Sequence, residues 1–310
     1  MTASTQVYAN TLAMNIKGRI DGERIVRIVE AKTVESAFKM LGDYGFAYTD
    51  GATVDGFIAE DTNRLIEFIT DTVPNEKAAK ALTARFWYNN VKLAYKSRFA
   101  DVPSDGFYAV EGDAVKVARG DYSDCDKYLA AALEALDEAH ETKPQAIDIA
   151  LTRAMYKFVL SCGVSLIKKY FRAEIDMKNI LTAARAKKLG KPELAEFLDG
   201  GTLKQKTLDE AMSADGCVGF AECFEKTPYA ALTESIAEGF DSLGDFERSA
   251  DDYLFYMTDS AVAKIASFEP YLNFYTQTLI ELKTVKTALV CIKTDSRDAF
   301  YARMPKIYVD

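Results

Sequence analysis

Apolar residues recur every three or four positions along most of the chain, which is the spacing of one face of an α-helix. The most regular stripe lies in the last long segment, which begins at Pro270, a residue suited to the first turn of a helix. Its apolar positions are Leu272, Tyr275, Leu279, Leu282, Val285, Leu289 and Ile292. A helix with such a stripe must bury it against other helices. No segment of more than a few residues alternates apolar and polar positions, so the pattern predicts an all-α protein.

Proline, glycine and acidic residues divide this pattern into separate helices. The predicted helices are Tyr8–Ile20, Val34–Tyr44, Asp61–Val73, Glu76–Phe99, Asp124–Thr142, Gln145–Arg172, Ile175–Gly190, Pro192–Leu198, Leu203–Ala214, Gly219–Glu225, Pro228–Glu238, Asp245–Ile265 and one that starts at Pro270. Loop-like composition over Val102–Gly120 and the Gly200-Gly201 pair indicate two boundaries. They predict three helical units, at residues 1–105, 106–201 and 202–310.

One helical sequence occurs in related forms at three places. It is NILTAARAK from Asn179, NVKLAYKSR from Asn90 and, more weakly, TVKTALVCI from Thr284. The copies start about 90 and about 105 residues apart, each the length of a small domain. This spacing favours three copies of one helical unit, with Asn90, Asn179 and Thr284 as repeat-defining structural residues. Helices that share a composition rich in Ala, Lys and Leu would also resemble one another, so both interpretations stay open.

Composition and charge limit the classes of function. The chain of 310 residues has a formal net charge of −9, which excludes the chain-wide basic surface that wrapping nucleic acid needs. Its five cysteines form no C-x-x-C pair, a usage that predicts reduced thiols in a cytosolic protein. The longest apolar stretch, Phe158–Ile167, is shorter than the roughly 20 residues that cross a bilayer. We therefore expect a protein that is not integral to the membrane.

The sequence contains little catalytic chemistry. His140 is the only histidine, which excludes a histidine triad or a His-rich metal site. No G-x-x-x-x-G-K-[ST] loop is present to bind ATP phosphates. The segment Asp121–Tyr128 begins like a calcium loop but lacks the required glycine and the final glutamate. We therefore expect no catalytic site, cofactor or metal.

Two basic clusters lie in the middle of the chain. They are Lys168, Lys169 and Arg172 in one, and Arg185, Lys187 and Lys188 in the other. Such clusters are often solvated helix faces, but they also suit an acidic partner surface, because complementary charge fixes register and speeds association. They are the candidate partner-facing residues of this sequence.

Five blocks of the sequence together resemble one protein family. They are YANTLAMNIKGR, FWYNNVKLAYKSR, QAIDIALTRAMYKFVL, IDMKNILTAARAKKLG and PYLNFYTQTLIELKTVKTALVCIKT. Their order and spacing, over essentially the whole chain, resemble the C-type subunit of the archaeal and bacterial A/V-type ATPases, whose equivalent in the eukaryotic vacuolar enzyme is the d-type subunit. The most specific parts are the block around Asn179 and the final helix with its short tail, Arg303–Val309.

The resemblance implies a funnel of three similar helical domains with pseudo-threefold symmetry. In that family the subunit has no active site of its own and no cofactor. It sits on the cytoplasmic face of the membrane rotor ring, receives the foot of the central stalk and carries torque between ion flow and nucleotide chemistry. The implied partners are therefore the rotor ring and the central-stalk subunits, with peripheral attachment to the membrane.

Two other functions remain open at this point. A helical-repeat adaptor unrelated to ATPases would bind a different partner in its concave face. An all-α magnesium-dependent enzyme would use the adjacent Asp251 and Asp252, a pairing typical of the metal sites of terpenoid synthases. That chemistry also needs a second metal-binding cluster, which the sequence does not contain.

Overall fold

The fold consists of α-helices joined by turns and loops. The computed structural model describes residues 3–16, 18–102, 106–259 and 266–309, and these ranges contain no β-strand. The helices are α1 (Ala3–Ile16), α2 (Gly22–Val29), α3 (Val34–Asp43), α4 (Val54–Thr72), α5 (Glu76–Lys96), α6 (Ala114–Ala118), α7 (Lys127–Glu138), α8 (Pro144–Leu160), α9 (Ser165–Lys188), α10 (Gln205–Ser213), α11 (Gly216–Glu222), α12 (Ala230–Ala237), α13 (Leu243–Thr258), α14 (Glu269–Lys293) and α15 (Arg297–Tyr301). The prediction of an all-α protein is confirmed.

Several predicted boundaries are wrong. The predicted break between Arg172 and Ile175 does not exist, because α9 is continuous there, and the real break lies at the end of α8. Gly163 makes that break, since its φ of 82° lies in the left-handed region, which a helix interior does not contain. The predicted helix Pro192–Leu198 is a 3₁₀ turn of three residues, and α2 is a helix that the pattern did not predict.

Two predicted segments fall partly outside the described residues. The last residues of the predicted helix Asp245–Ile265, at 260–265, lie outside them, and α13 ends at Thr258. Within the predicted loop Val102–Gly120, residues 103–105 also lie outside them. The remainder of that segment contains α6, a helix that its loop-like composition did not predict.

Three helix pairs form the centre of the molecule: α4 with α5, α8 with α9, and α13 with α14. A turn of three residues joins α4 to α5, and the Asn75 side chain there accepts the Ala78 N–H at 3.1 Å as the N-cap of α5. Four residues join α8 to α9. The second helix of each pair is the longer one, with 21, 24 and 25 residues in α5, α9 and α14.

These six helices pack in a closed order. α5 lies against α8, α9 against α13, and α14 against α4, in addition to the packing within each pair. Between α5 and α8, Lys92 contacts Thr152 at 2.7 Å. One turn later in α5, Lys96 contacts Asp148 at 2.6 Å, four residues earlier in α8, so the two helices are antiparallel.

Two further neighbouring pairs, α13 with α14 and α4 with α14, are also antiparallel. The contacts are Asp251–Lys283 and Phe255–Asn273 between α13 and α14, and Thr72–Tyr271 and Asp55–Lys286 between α4 and α14. In both pairs the later residue of one helix meets the earlier residue of the other. Because neighbours alternate in direction, α5, α9 and α14 all run the same way. This arrangement is consistent with the expected pseudo-threefold symmetry.

Two hydrophobic clusters stabilise the fold. The larger one fills the six-helix ring and extends into α7, α10, α11 and α12. The smaller one joins α2 and α3 to the C-terminal half of α14 and to the end of the chain, where Ile25, Leu41, Leu289 and Tyr308 are buried together. The N-terminal helices therefore share a core with the C-terminal residues. The three units at 1–105, 106–201 and 202–310 stay a prediction, as does the funnel.

Candidate partner-binding site

The centre of the six-helix ring is closed by polar and aromatic side chains from its three long helices. Arg85 of α5 forms an ion pair with Glu174 of α9 at 3.1 Å. The rings of Tyr170 and Tyr275 lie edge to face with centroids 6.2 Å apart, and the Tyr275 hydroxyl donates to the Leu82 carbonyl at 3.0 Å. These contacts form a floor that ties α5, α9 and α14 together.

The ion pair in the floor is electrostatically strong. Burial alone would raise the pKa of Glu174, but the charges of Arg85 and Lys178 outweigh it and lower that pKa below its ordinary value. Burial likewise opposes the charge of Arg85, and Glu174 nevertheless raises the pKa of Arg85 above its ordinary value. Both groups are therefore charged at neutral pH.

A cleft opens from this floor between α9, α13 and α14. Its cavity has a volume of about 500 Å³ and continues into a second cavity of about 420 Å³. Charged side chains of both signs line it, among them Lys178, Arg185, Glu247, Asp251 and Lys283. Those from α9 and α14 lie toward the C-terminal ends of these helices, so the cleft opens at that end of the ring. A charged concave wall of this kind suits a protein partner with complementary charges.

The second predicted basic cluster lies at this end. Arg185 forms an ion pair with Glu247, and Lys188 forms one with Asp241 at 2.7 Å. Lys187 instead donates to the carbonyls of Met212 and Ala214, at 3.0 and 2.6 Å. Arg185 and Lys188 therefore line the cleft, whereas Lys187 holds the end of α10.

The first predicted basic cluster lies at the opposite end of α9. Lys168 is half-buried, and Lys169 and Arg172 are exposed. Within the described ranges these three side chains have no ion pair or hydrogen bond. Twenty residues of helix separate Lys168 from Lys188, a distance of about 30 Å at about 1.5 Å per residue. The structure therefore does not bring the six predicted cations together into one surface.

The repeat asparagines have the same structural role in two copies. The Asn90 side chain donates to the Tyr108 carbonyl and accepts the Tyr108 N–H, both at 2.8 Å. The Asn179 side chain makes the same pair of bonds with Leu198, at 2.9 and 2.8 Å. Each amide thus holds the chain that follows its helix against that helix. Both asparagines are buried, and their role as repeat-defining structural residues stays a prediction.

Thr284 has a different environment in the third copy. Its hydroxyl donates to the Ile280 carbonyl one turn earlier in α14, at 2.7 Å. Three residues before it, Glu281 accepts the Ile20 N–H at 3.1 Å and forms an ion pair with Arg19 at 2.8 Å. In the third copy, the Glu281 carboxylate, one helical turn before Thr284, therefore holds the segment Arg19–Ile20 of the same chain.

The adjacent aspartates of α13 point to different surroundings. Asp251 accepts from Lys283 at 2.5 Å in the cleft, and burial raises its pKa despite that lysine. Asp252 is buried and accepts the Lys306 N–H at 3.3 Å from the C-terminal tail. No metal-binding group of three or more His, Cys, Asp or Glu occurs in the part of the chain that the structure describes. The pair therefore does not form the shared magnesium site that the enzyme hypothesis requires.

Sequence analysis missed Arg85, Glu174 and Lys283. Arg85 and Glu174 each lie five residues before the asparagine of their own copy. The repeat alignment thus contained a signal for them as equivalent positions. Nothing in the linear sequence indicated that the two equivalent positions face each other.

Comparison with protein-family models identifies a family for this chain. A family model described as ATP synthase (C/AC39) subunit matches residues 13–303, far more than half of the chain. A search of curated proteins finds no match. Among the described residues, no helix combines the length and the apolar character needed to cross a membrane.

Proposed function

The chain belongs to the ATP synthase (C/AC39) subunit family, and from this premise we propose that it is the non-catalytic central-rotor subunit of a V/A-type ATPase. In this role it links the membrane rotor ring to the central stalk. It transmits torque between ion translocation and the synthesis or hydrolysis of ATP. The proposal includes attachment at the cytoplasmic face of the membrane without insertion. The family match over residues 13–303 is the observation that carries it.

The two ends of the helix ring suggest how the partners are divided. The cleft receives the foot of the stalk, because it is concave and its wall presents paired charges that fix the register of an inserted helix. The opposite end contacts the rotor ring, and Lys168, Lys169 and Arg172 lie there without partners among the described side chains. One subunit then holds both partners at opposite ends of the same helix, α9.

A torque-transmitting subunit needs stiffness more than reactive groups. Close-packed interiors have low compressibility and transmit strain. In the closed order of six helices, each helix has two ring neighbours, and the floor adds an ion pair between α5 and α9. A twist applied at the cleft therefore reaches the opposite end through packed side chains. The divergent environments of Asp251 and Asp252 leave no observation that favours the magnesium enzyme.

Reconstitution with purified stalk subunits and the membrane ring tests this function. In the cleft, Lys178 is exposed and forms a long pair with Glu174 at 3.8 Å. Lys178→Glu places a second carboxylate beside Glu174 and should lower stability, so circular dichroism first checks that the variant is folded. We expect this variant to weaken stalk binding about tenfold, since it replaces attraction by repulsion, and to leave ring binding unchanged. We expect the double variant Lys169→Glu with Arg172→Glu to weaken ring binding and to leave stalk binding unchanged.

Lys226→Glu is the matched control, because Lys226 is exposed and lies outside both surfaces. It carries the same change in charge and should bind both partners like the wild type. Wild-type protein that binds neither the stalk nor the ring contradicts the proposed function. Cleft variants that bind both partners normally contradict the assignment of the two ends.

A further inference from the structure

We propose that a groove on the outer face of α5 binds a basic peptide segment of a partner protein. The groove has a volume of about 760 Å³, within the range of about 300–1,000 Å³ that is typical of ligand sites. It lies between the N-terminal half of α5, the segment Val110–Asp113, the segment Asp124–Asp126 and the end of α8. Neither the proposed rotor role nor the cleft uses it.

The floor of the groove is aromatic and rigid. Trp87, the only tryptophan of the chain, lies half-buried against the backbone of Gly112. A side-chain carbon at Gly112 would come within 2.6 Å of the indole, and the φ of 120° there also favours glycine. Glycine at this position therefore allows the indole to approach the loop closely. Ala84, Val110 and Phe158 add to the apolar lining.

The rim of the groove is acidic. Its charged lining residues are the carboxylates of Glu111, Asp113, Asp124 and Asp126, with the single cation Lys80. Glu111 is 84% exposed, and its pair with the Lys80 ammonium is long, at 3.8 Å. The rim therefore attracts positive charge, and the indole below it offers the best aromatic face for a cation.

The arrangement of the acids favours a peptide over a metal ion. In the described part of the chain, no three carboxylates converge as metal ligands do. Asp113 and Asp126 cap helices α6 and α7, Asp126 also accepts the Tyr88 hydroxyl at 2.8 Å, and Asp124 binds Lys116 at 2.9 Å, so each of these carboxylates has a different partner. Charges spread around an apolar floor match a segment that alternates Arg or Lys with apolar residues.

A partner in this groove leaves the cleft free. Arg85 points toward α9, where it meets Glu174. Trp87 is two residues further along the same helix, so it points to nearly the opposite side. The groove therefore faces away from the interior of the ring. The basic partner and the stalk can bind the same subunit together.

The emission of Trp87 reports directly on this groove. The full-length protein is titrated with a synthetic peptide rich in arginine and leucine, and with a second peptide in which glutamate replaces each arginine. We expect a saturable change in emission with the basic peptide that weakens as salt is added, and none with the acidic one. In Glu111→Lys, binding should weaken about fivefold to tenfold, because an exposed attraction becomes a repulsion.

Glu234→Lys is the matched control, because it makes the same charge change at an exposed position of α12. It should bind the basic peptide within about twofold of the wild type, since charges beyond a Debye length are screened. Equal losses in Glu111→Lys and Glu234→Lys overturn the proposal, as they mean general attraction to an acidic protein. It is overturned as well if the basic peptide causes no saturable change, or if the acidic peptide binds as tightly.

Discussion

Asn90 and Asn179 show how one side chain can complete a tertiary contact. A carboxamide presents a donor and an acceptor side by side, so it can satisfy both the N–H and the C=O of one extended residue. Tyr108 and Leu198 each bind their asparagine in this way. These backbone groups lie in loops, where no helix or sheet partner is present. The asparagine therefore supplies what secondary structure would supply elsewhere.

Replacing either asparagine should destabilise the fold. In Asn90→Ala, the Tyr108 N–H loses its partner, whereas the Tyr108 carbonyl keeps the Val110 N–H at 3.0 Å, and we expect a loss of about 1–3 kcal/mol in the free energy of unfolding. Asn179→Ala should lose at least as much, because both the N–H and the carbonyl of Leu198 bind the Asn179 side chain. Chemical denaturation followed by circular dichroism measures both values.

Thr284→Val is the matched substitution in the third copy. The Thr284 hydroxyl only adds a second bond to the Ile280 carbonyl of its own helix, so its removal leaves no backbone group unpaired. We expect a loss below about 1 kcal/mol. A loss as large as that of Asn90→Ala would mean that the third copy uses this position as the other two do.

The lowered pKa of Glu174 predicts a specific dependence of stability on pH. The unfolded state holds this proton more tightly than the folded state, so ionised Glu174 adds stability above its ordinary pKa of 4.5. That contribution is lost as the pH falls through the lower folded-state value. The stability difference between wild type and Glu174→Gln should therefore shrink as the pH falls below about 4.5. Denaturation curves at a series of pH values test this, and a difference that grows toward acid pH would contradict it.

At the scale of elements, the closed order of six helices explains why one ion pair matters. α8 lies between α5 and α9 in that order, and the pair Arg85–Glu174 connects the two long helices across the ring. Both side chains are largely buried, with exposed fractions of 25% and 13%. Their charges therefore depend on each other more than those of a surface pair.

Removing one partner of this ion pair should cost more stability than removing both partners. Arg85→Met leaves Glu174 buried without its main partner, and we expect a loss of about 3 kcal/mol, near the lower limit for buried pairs because Lys178 remains nearby. The double variant Arg85→Met with Glu174→Leu buries no unpaired charge and should be more stable than either single variant. Urea unfolding of the four proteins gives the coupling energy. Additive losses would show that the two helices are held together by packing alone.

At the scale of the whole molecule, α2 and the residues after it pack against the C-terminal segment from Arg297 to Tyr308. The Tyr308 carbonyl meets the start of α2 at Gly22, and the Arg297 side chain donates to the carbonyls of Val29 and Ala31. The Asp252 side chain accepts the Lys306 N–H in the same tail. The smaller hydrophobic cluster is therefore complete only when both ends are in place.

Gly22→Ala tests this closure. A side-chain carbon there would lie 2.2 Å from the Tyr308 carbonyl oxygen, so the tail must move, and we expect a loss of about 1–3 kcal/mol. Gly219→Ala in α11 is the control, since its nearest neighbour is at 3.7 Å and alanine favours a helix by about 0.5–1 kcal/mol. A Gly22→Ala protein as stable as the wild type would mean that the tail adds little to the cluster.

The sequence was sufficient for the features that depend on neighbouring residues. The apolar stripe after Pro270 predicted α14, because helical periodicity acts within a few residues. The same local signals failed at Gly163, where one glycine in a left-handed conformation separates α8 from α9, and within α9, which continues through the predicted break. Helix formation at such points depends on packing as well as on propensity.

Tertiary structure alone decided which residues meet. The sequence indicated Arg185, Asp251 and the repeat asparagines as candidate functional or structural residues. It did not indicate their partners, because those of Asn179 and Arg185 lie 19 and 62 residues away. Only the folded ring pairs Arg85 with Glu174 and turns Asp251 toward Lys283, away from Asp252. Local sequence sets the period of a helix, whereas the face that meets a given neighbour depends on the packing of all the helices together.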